Sequence, residues 1–200
     1  MRDFLAALAS AEAPSSAVPA SALAAGMGVS LLLMVAALPR TRSESADDRT
    51  ALTIATTELG DVQRQLIETI DTETAVKIFA ARNLPHASVS QRAEREAAIQ
   101  LALQAAADIP LEIMRLAALG LTHARTVAAW SRRAAAGDVE LAVGLLRIAL
   151  SGARSSLEMK LTSLTDVVYT KAVVDEIVRL NEEATQAARA AELLVQAPPA

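Results

Sequence analysis

Between Ala13 and Pro39 the chain carries no charged side chain, and the run Leu31-Leu32-Leu33-Met34-Val35 lies inside that stretch. A segment so long and apolar has few physical outcomes: it spans a bilayer, it is a leader, or it is walled in by other helices. Its pattern favours the last. Pro14 and Pro19 break its front, and Ala20, Ser21, Ala22, Ala24, Ala25, Gly26, Gly28 and Ser30 fill its middle with small groups. Arg2 and Asp3 stand too far from Pro14 to make a compact cationic leader region. The expectation is an interior helix from Ala20 to Leu38 whose small residues let neighbouring backbones approach closely.

The rest of the composition agrees with a helical body. Apolar residues make up 52% of the 200 residues and aromatics only 2%, so neither a disordered chain nor an aromatic-rich β-sandwich fits. Alanine, the best helix former, supplies about 45 residues, far above ordinary usage. There is no cysteine, which excludes disulfides, thiolate nucleophiles and thiolate-held metals. His86 and His123 are too few and too far apart in sequence for a histidine zinc site. A net charge of -4 and the scarcity of aromatics argue against nucleic acid as a partner.

The helical pattern can be followed along the chain. Asp3 to Ser10 reads as a short opening helix, Ala11 to Pro19 as a loop, and Pro39 to Asp48 as a polar connection. Leu52, Ala55, Leu59, Val62, Leu66 and Ile70 recur at steps of three and four, which marks one face of a helix extending toward Ala81. Leu84-Pro85-His86 breaks it. Ser90 is placed to cap a helix to Ala106, and Ile109-Pro110 to open another to about Arg133. Gly137-Asp138 is a stop followed by a start, with Asp138 in N-cap position for a helix through Leu141, Leu145 and Ile148 to Leu161. Ser163 to Asp166 has capping-box spacing, and Val173, Ile177, Leu180, Ala184, Ala187 and Ala191 form the face of a last helix. The whole reads as an all-α, single-domain bundle of about six or seven helices over residues 1–195, with 196–200 a tail.

No glycine-rich phosphate loop, G-x-S-x-G, H-E-x-x-H or EF-hand pattern is present. Read singly, the polar residues name no reaction. Asp71 on a long amphipathic helix reads as a solvated carboxylate, Asp138 as a cap, His123 as a half-buried packing group and His86 as a surface loop residue. Trp130 with Arg132 and Arg133 could form a cation–π cluster or simply a solvated helix end, and Lys160 reads as a solvated lysine.

Order and spacing say more than any single motif. Phe4-Leu5 with Leu8-Ala9-Ser10, Leu23-Ala24-Ala25-Gly26-Met27-Gly28 and Met34-Val35 follow one another as the first two helices of a known family do. So do Asp71, Leu84-Pro85, Arg95 with Ile99-Gln100 and Leu103, Asp108-Ile109-Pro110-Leu111, Gly137-Asp138, and Leu150 to Asp166. From Phe4 to about Leu180 the chain resembles the formiminotetrahydrofolate cyclodeaminase / methenyltetrahydrofolate cyclohydrolase family. The resemblance implies a cytoplasmic all-helical homodimer that binds a reduced folate and acts on the one-carbon bridge between its N5 and N10. It implies no cofactor beyond that folate substrate, no metal, no nucleic acid and no membrane.

In that reading Asp71 and Asp138 are the catalytic carboxylates, orienting water or relaying protons. Ser15, Ser16, Arg42, Ser156 and Lys160 fall where the family meets its substrate. The chain departs from the family pattern in several places. Ser15-Ser16-Ala17-Val18-Pro19 replaces a P-G-G-G-S loop, so side chains stand where the family has glycines and Pro19 lacks an N–H. Arg42 and Ser43 replace lysines, Thr74-Ala75 an Ala-Phe pair, and Gly137 a serine; Ser156 and Lys160 fall on asparagines. Two other readings follow: a family member that keeps fold and dimer without turnover, as a ligand-binding or accessory subunit, and a membrane-anchored helical protein using residues 13–39.

Overall fold

The computed structural model describes residues 6, 9, 17–38, 45–70, 74–131 and 133–196. It contains six long or medium helices, α1 (Ala17–Ala37), α2 (Ala46–Ile70), α3 (Thr74–Arg82), α4 (Val89–Trp130), α5 (Ala136–Leu161) and α6 (Val167–Gln196), with a 3-10 turn at Arg133–Ala135. No strand occurs among the described residues. Of the opening helix expected over Asp3 to Ser10 only Ala6, which is helical, and Ala9, in a turn, are described; most of the polar connection after Pro39 lies outside the described residues.

Three of the helix starts are set by side-chain caps. Ser45 and Asp48 form a reciprocal pair at the front of α2: the Asp48 N–H donates to Ser45 Oγ at 3.1 Å and the Ser45 N–H to Asp48 Oδ2 at 3.0 Å. The polar connection therefore ends at Ser45 rather than Asp48. Ser88 and Gln91 repeat that arrangement on α4, so the cap is Ser88 and not Ser90. On α6 the cap is Asp166 alone, whose Oδ1 accepts from the backbone N–H groups of Val168 and Tyr169 at 3.0 Å each, rather than a Ser163–Asp166 box. The helix after Gly137 begins earlier than expected. Ala135 is its cap, without a side-chain bond, and Asp138 lies inside the first turn. There its carboxylate complements the positive end of the helix without capping it.

The stretch read from Leu52 toward Ala81 is helical in α2 and in α3, and residues 71–73 between them lie outside the described residues. The break expected between Ala106 and Ile109 does not exist, because α4 runs unbroken for 42 residues with Pro110 inside it. Proline in a helix interior loses one backbone bond and costs about 3 kcal/mol. Here Pro110 is buried together with Leu111, Ile113 and Met114, and burial of side chains this size returns roughly 1.5–3 kcal/mol apiece. Pro19 likewise falls inside the first turn of α1, where a missing N–H has no intrahelical partner to lose.

Helix α4 is the central post, packed by α1, α2, α3, α5 and α6. The face read for α2 is buried at Leu52, Ala55, Leu59, Val62 and Leu66, and that of α6 at Val173, Ile177, Leu180, Ala184 and Ala191, with Ala188 buried in preference to Ala187. α1 lies antiparallel on α5: Ser21 is beside Gly152, and Gly28 beside Ala142 and Leu146. Small residues make this closeness feasible, as the uncharged composition implied.

The interior expected for α1 is only half right. Ala22, Ala25, Val29 and Leu32 are almost fully buried, yet Met27 and Met34 are 40% and 44% exposed. By length and apolar character α1 and α4 both qualify as membrane-crossing helices, and half of the most apolar window of α1 is packed inside the protein. Its outer face lines a groove shared with α2 and α5.

Candidate functional site

The outer face of α1, together with α2 and α5, walls a groove of about 580 Å³. α1 contributes Leu23, Gly26, Met27, Ser30 and Met34, while α2 contributes Gln63 and Ile67, and α5 Leu141 and Leu145. The helix period explains the floor. Residues 23, 26, 27, 30, 31 and 34 recur at steps of three and four and fall on one face of α1, opposite its buried Ala25, Val29 and Leu32. A Cβ built on Gly26 would meet nothing within 4 Å, so the groove runs close to the α1 backbone there.

The lining is apolar apart from Ser30 and Gln63, which bridge α1 and α2. Gln63 Nε2 donates to Ser30 Oγ at 2.7 Å, and Ser30 Oγ donates to the Gly26 carbonyl at 2.7 Å. With its NH₂ so engaged, Gln63 keeps a carbonyl oxygen as acceptor. A concave apolar slot of this volume with one convergent polar pair suits a flat, mainly uncharged ligand body. No charged residue is among the described lining.

Asp138 precedes Leu141 by three residues and Leu145 by seven, so it lies on the same face of α5, one turn beyond the groove at that helix's N-terminal end. It is half-buried. Ser156 and Lys160 lie at the opposite end of α5. Ser156 is 6% exposed, one turn past the contact of Gly152 with Ser21, and Lys160 follows it, half-buried. At 1.5 Å rise per residue, Asp138 is roughly 27 Å from Ser156 and 33 Å from Lys160 along the helix. Within one chain these three do not converge. Asp71, Ser15, Ser16 and Arg42 lie outside the described residues.

Sequence reasoning passed over Ser30 and Gln63. Their signal was present, since each interrupts an apolar run at helical spacing: Ser30 four after Gly26, Gln63 between Leu59 and Leu66. Another polar pair lies away from the groove. His123, only 9% exposed on α4, has its Nε2 2.7 Å from Glu58 Oε2 of α2, although no aligned hydrogen bond forms there. His123 is thus a buried packing residue with an ionic neighbour. His86 is an exposed loop residue, as expected. Trp130 closes α4 half-buried, and Arg132 lies outside the described residues.

A third polar cluster ties α4 to α6. Arg115 donates to both carboxylate oxygens of Glu176, from Nε at 2.9 Å and Nη2 at 2.8 Å, and Nη1 reaches Glu112 at 3.1 Å. The guanidinium hydrogen bond holds the Glu176 carboxyl below the usual carboxylate range. Next to it, Tyr169 donates to Asp108 Oδ1 at 2.7 Å, and burial together with that bond pushes the phenol upward. This cluster is far from the groove and fastens α6. Among the described residues no group of three or more acidic or imidazole side chains is placed to hold a metal ion.

Comparison with known proteins follows the same lines. The family model described as formiminotransferase-cyclodeaminase matches residues 1–179. The crystal structure of formiminotetrahydrofolate cyclodeaminase from Thermotoga maritima superimposes with a TM-score of 0.84 at 15% identity, covering 98% of this chain and 95% of that one. The all-helical fold is therefore shared. Among curated proteins, none matches the sequence significantly.

Proposed function

The chain belongs to the formiminotransferase-cyclodeaminase family, and we propose that it binds a reduced folate in the α1–α2–α5 groove and acts on the N5,N10 one-carbon bridge. The observation that carries this is the groove itself: an apolar slot of about 580 Å³ with a polar pair on one wall and a carboxylate one turn beyond its end. A flat ring system fills the slot against Met27, Met34 and Ile67, and the Gln63 carbonyl oxygen is an acceptor for ring N–H groups.

In hydrolysis of a methenyl bridge, water adds to the cationic carbon, loses a proton, and one C–N bond breaks as its nitrogen gains a proton. In cyclodeamination, N10 attacks the formimino carbon and ammonia departs after protonation. Either route needs one group that takes a proton and returns it near the same place. Asp138, one turn beyond the groove, is proposed for that role, with Asp71 as its partner. Arg42 and Lys160 would meet the anionic portion of the folate, with Ser15, Ser16 and Ser156 as hydrogen-bonding neighbours. The reaction requires no cofactor or metal, and the protein works as a cytoplasmic homodimer.

The test is loss of methenyl-folate absorbance above the uncatalysed rate at several pH values, and ammonia release from the formimino compound. Calorimetric titration with a reduced folate is run beside both. Binding with neither reaction would favour the second reading, a family member without turnover. The uncharged lining of the groove speaks for that alternative. No binding at all would overturn the folate reading.

A further inference from the structure

The chain has five methionines and no cysteine. A two-electron oxidant such as hydrogen peroxide reacts first with sulfur, so in this chain its targets are thioethers. Met1 lies outside the described residues, and the fold sorts the other four. Met114 is 0% exposed, in the core. Met159 is 72% exposed near the end of α5 and lies outside the groove, roughly 21 Å of helix beyond Leu145. Met27 and Met34 are 40% and 44% exposed, and both line the groove. Seven residues make two turns, so these two side chains leave the same face of α1 about 10 Å apart. Ser30, with its bond to Gln63, stands between them. Their neighbours in the lining, Leu23, Leu31, Ile67, Leu141 and Leu145, carry no polar side-chain atom to pair with a new dipole.

We propose that Met27 and Met34 form a reversible oxidation site built into the groove, and that their sulfoxides close it to a flat apolar ligand. The thioether sulfur attacks one peroxide oxygen, and the O–O bond breaks. Sulfur gains an S–O bond and is oxidised by two electrons, while the departing hydroxide takes the proton of the transferred oxygen and leaves as water. A methionine sulfoxide reductase with a dithiol reverses the step: the oxygen leaves as water and the dithiol becomes a disulfide. Each sulfoxide puts a strong acceptor on an apolar wall, and a ligand that covers it strips its water without replacing the hydrogen bond. The soft contact between thioether sulfur and a ring is lost as well. Because the two sulfurs flank Ser30, both changes meet the same face of one ligand.

The modification stands on exposure and spacing alone, and its effect on binding rests on the folate reading, so the experiment separates them. The full chain is treated with hydrogen peroxide, and its sulfoxides are mapped by peptide mass spectrometry. Met27, Met34 and Met159 should oxidise, and Met114 should not. Oxidation of Met159 with Met27 and Met34 spared would overturn the site whether or not folate binds. Calorimetric titration with a reduced folate is then run before and after treatment. Affinity should fall about tenfold with helicity unchanged, and the reductase with dithiol should restore it. The Met159→Leu chain should respond to peroxide as the wild type does. The Met27→Leu/Met34→Leu chain keeps an apolar wall, and its affinity, whatever its starting value, should not change on treatment. Met27→Gln/Met34→Gln, polar and of similar length, should bind weakly without any oxidant. Unchanged affinity of the oxidised wild type, a loss that persists in the leucine double variant, or a loss of helicity on treatment would each overturn the closing of the groove. An untreated wild type that binds no folate would overturn the folate reading instead, and the sulfoxide map would still decide the site.

Discussion

The backbone of Gly28 faces the carbonyl oxygen of Ala142 so closely that a methyl group built on it would lie 2.9 Å from that oxygen, and 3.0 Å from Leu146 Cγ. The obstacle is backbone rather than the end of a flexible side chain, so it cannot turn aside. Gly28→Ala should therefore force α1 and α5 apart at a cost of roughly 1–3 kcal/mol. That corresponds to a fall in Tm of several degrees for a chain this size, and a thermal melt reads it. Gly26→Ala, two residues earlier and facing open space, should instead hold or raise Tm by replacing a poor helix former. Equal losses from both would show that the 28–142 approach does not set the spacing.

Pro110 makes a second stability prediction with the opposite sign. Replacing it by alanine restores the N–H that the Ala106 carbonyl lacks and relieves the ring's clash with the preceding turn, about 3 kcal/mol. It also gives up the buried pyrrolidine ring, about 1–2 kcal/mol on the usual area scale. Pro110→Ala should stabilise by roughly 1–2 kcal/mol, read as a higher urea midpoint at unchanged slope. A destabilised variant would mean that the buried proline ring contributes more to the packing around Leu111, Ile113 and Met114 than its lost hydrogen bond costs.

The Arg115–Glu176 pair gives a pH dependence. Glu176 is titrated at a lower pH in the folded chain than in the unfolded one, because the guanidinium bonds to its carboxylate. Its contribution is therefore fully present above the unfolded carboxyl pKa, near 4.3, and is lost as pH falls through the lower folded value. Arg115 is 45% exposed and Glu176 23%, so solvent screening reduces the pair's worth to about 1 kcal/mol. Glu176→Gln should cost that amount at pH 7, and the gap from wild type should narrow as pH falls below the unfolded carboxyl value. Urea titrations at pH 7, 5 and 3 decide this, and a gap independent of pH would make the pair a packing contact rather than an ionic one.

Much of this architecture was legible because it rests on periodicity. Leu52 to Leu66 and Val173 to Ala191 announce their buried faces through steps of three and four, and the small residues around Gly28 announce close helix contact. What escaped was decided by tertiary packing. Pro110 reads locally as a helix start, and only burial of its neighbours lets α4 continue through it. Asp138 reads as a cap because Gly137 precedes it, yet the 3-10 turn at Arg133–Ala135 moves the helix start back by three residues. The groove was invisible for a similar reason. Ser30 and Gln63 lie 33 residues apart, and their meeting depends on how α1 and α2 cross.

Asp138 carries the functional prediction. Asparagine keeps its size and an acceptor oxygen but neither takes nor delivers a proton at neutral pH. Under the proposed role of Asp138 in proton transfer, Asp138→Asn should lower kcat by about 10²–10⁴-fold while leaving calorimetric affinity for a reduced folate within about threefold. Its structural cost is confined to the first turn of α5, where a carboxylate is worth about 0.3–1 kcal/mol against the helix dipole, so Tm should move by only a few degrees. Gln63→Leu separates binding from chemistry in the reverse sense. It removes an acceptor from the groove wall and should weaken folate affinity about tenfold, with kcat changed little once substrate saturates. The decisive measurement is kcat and KM for both variants on the same methenyl substrate. An Asp138→Asn enzyme with wild-type turnover would remove this carboxylate from the chemistry and leave Asp71 as the one to test.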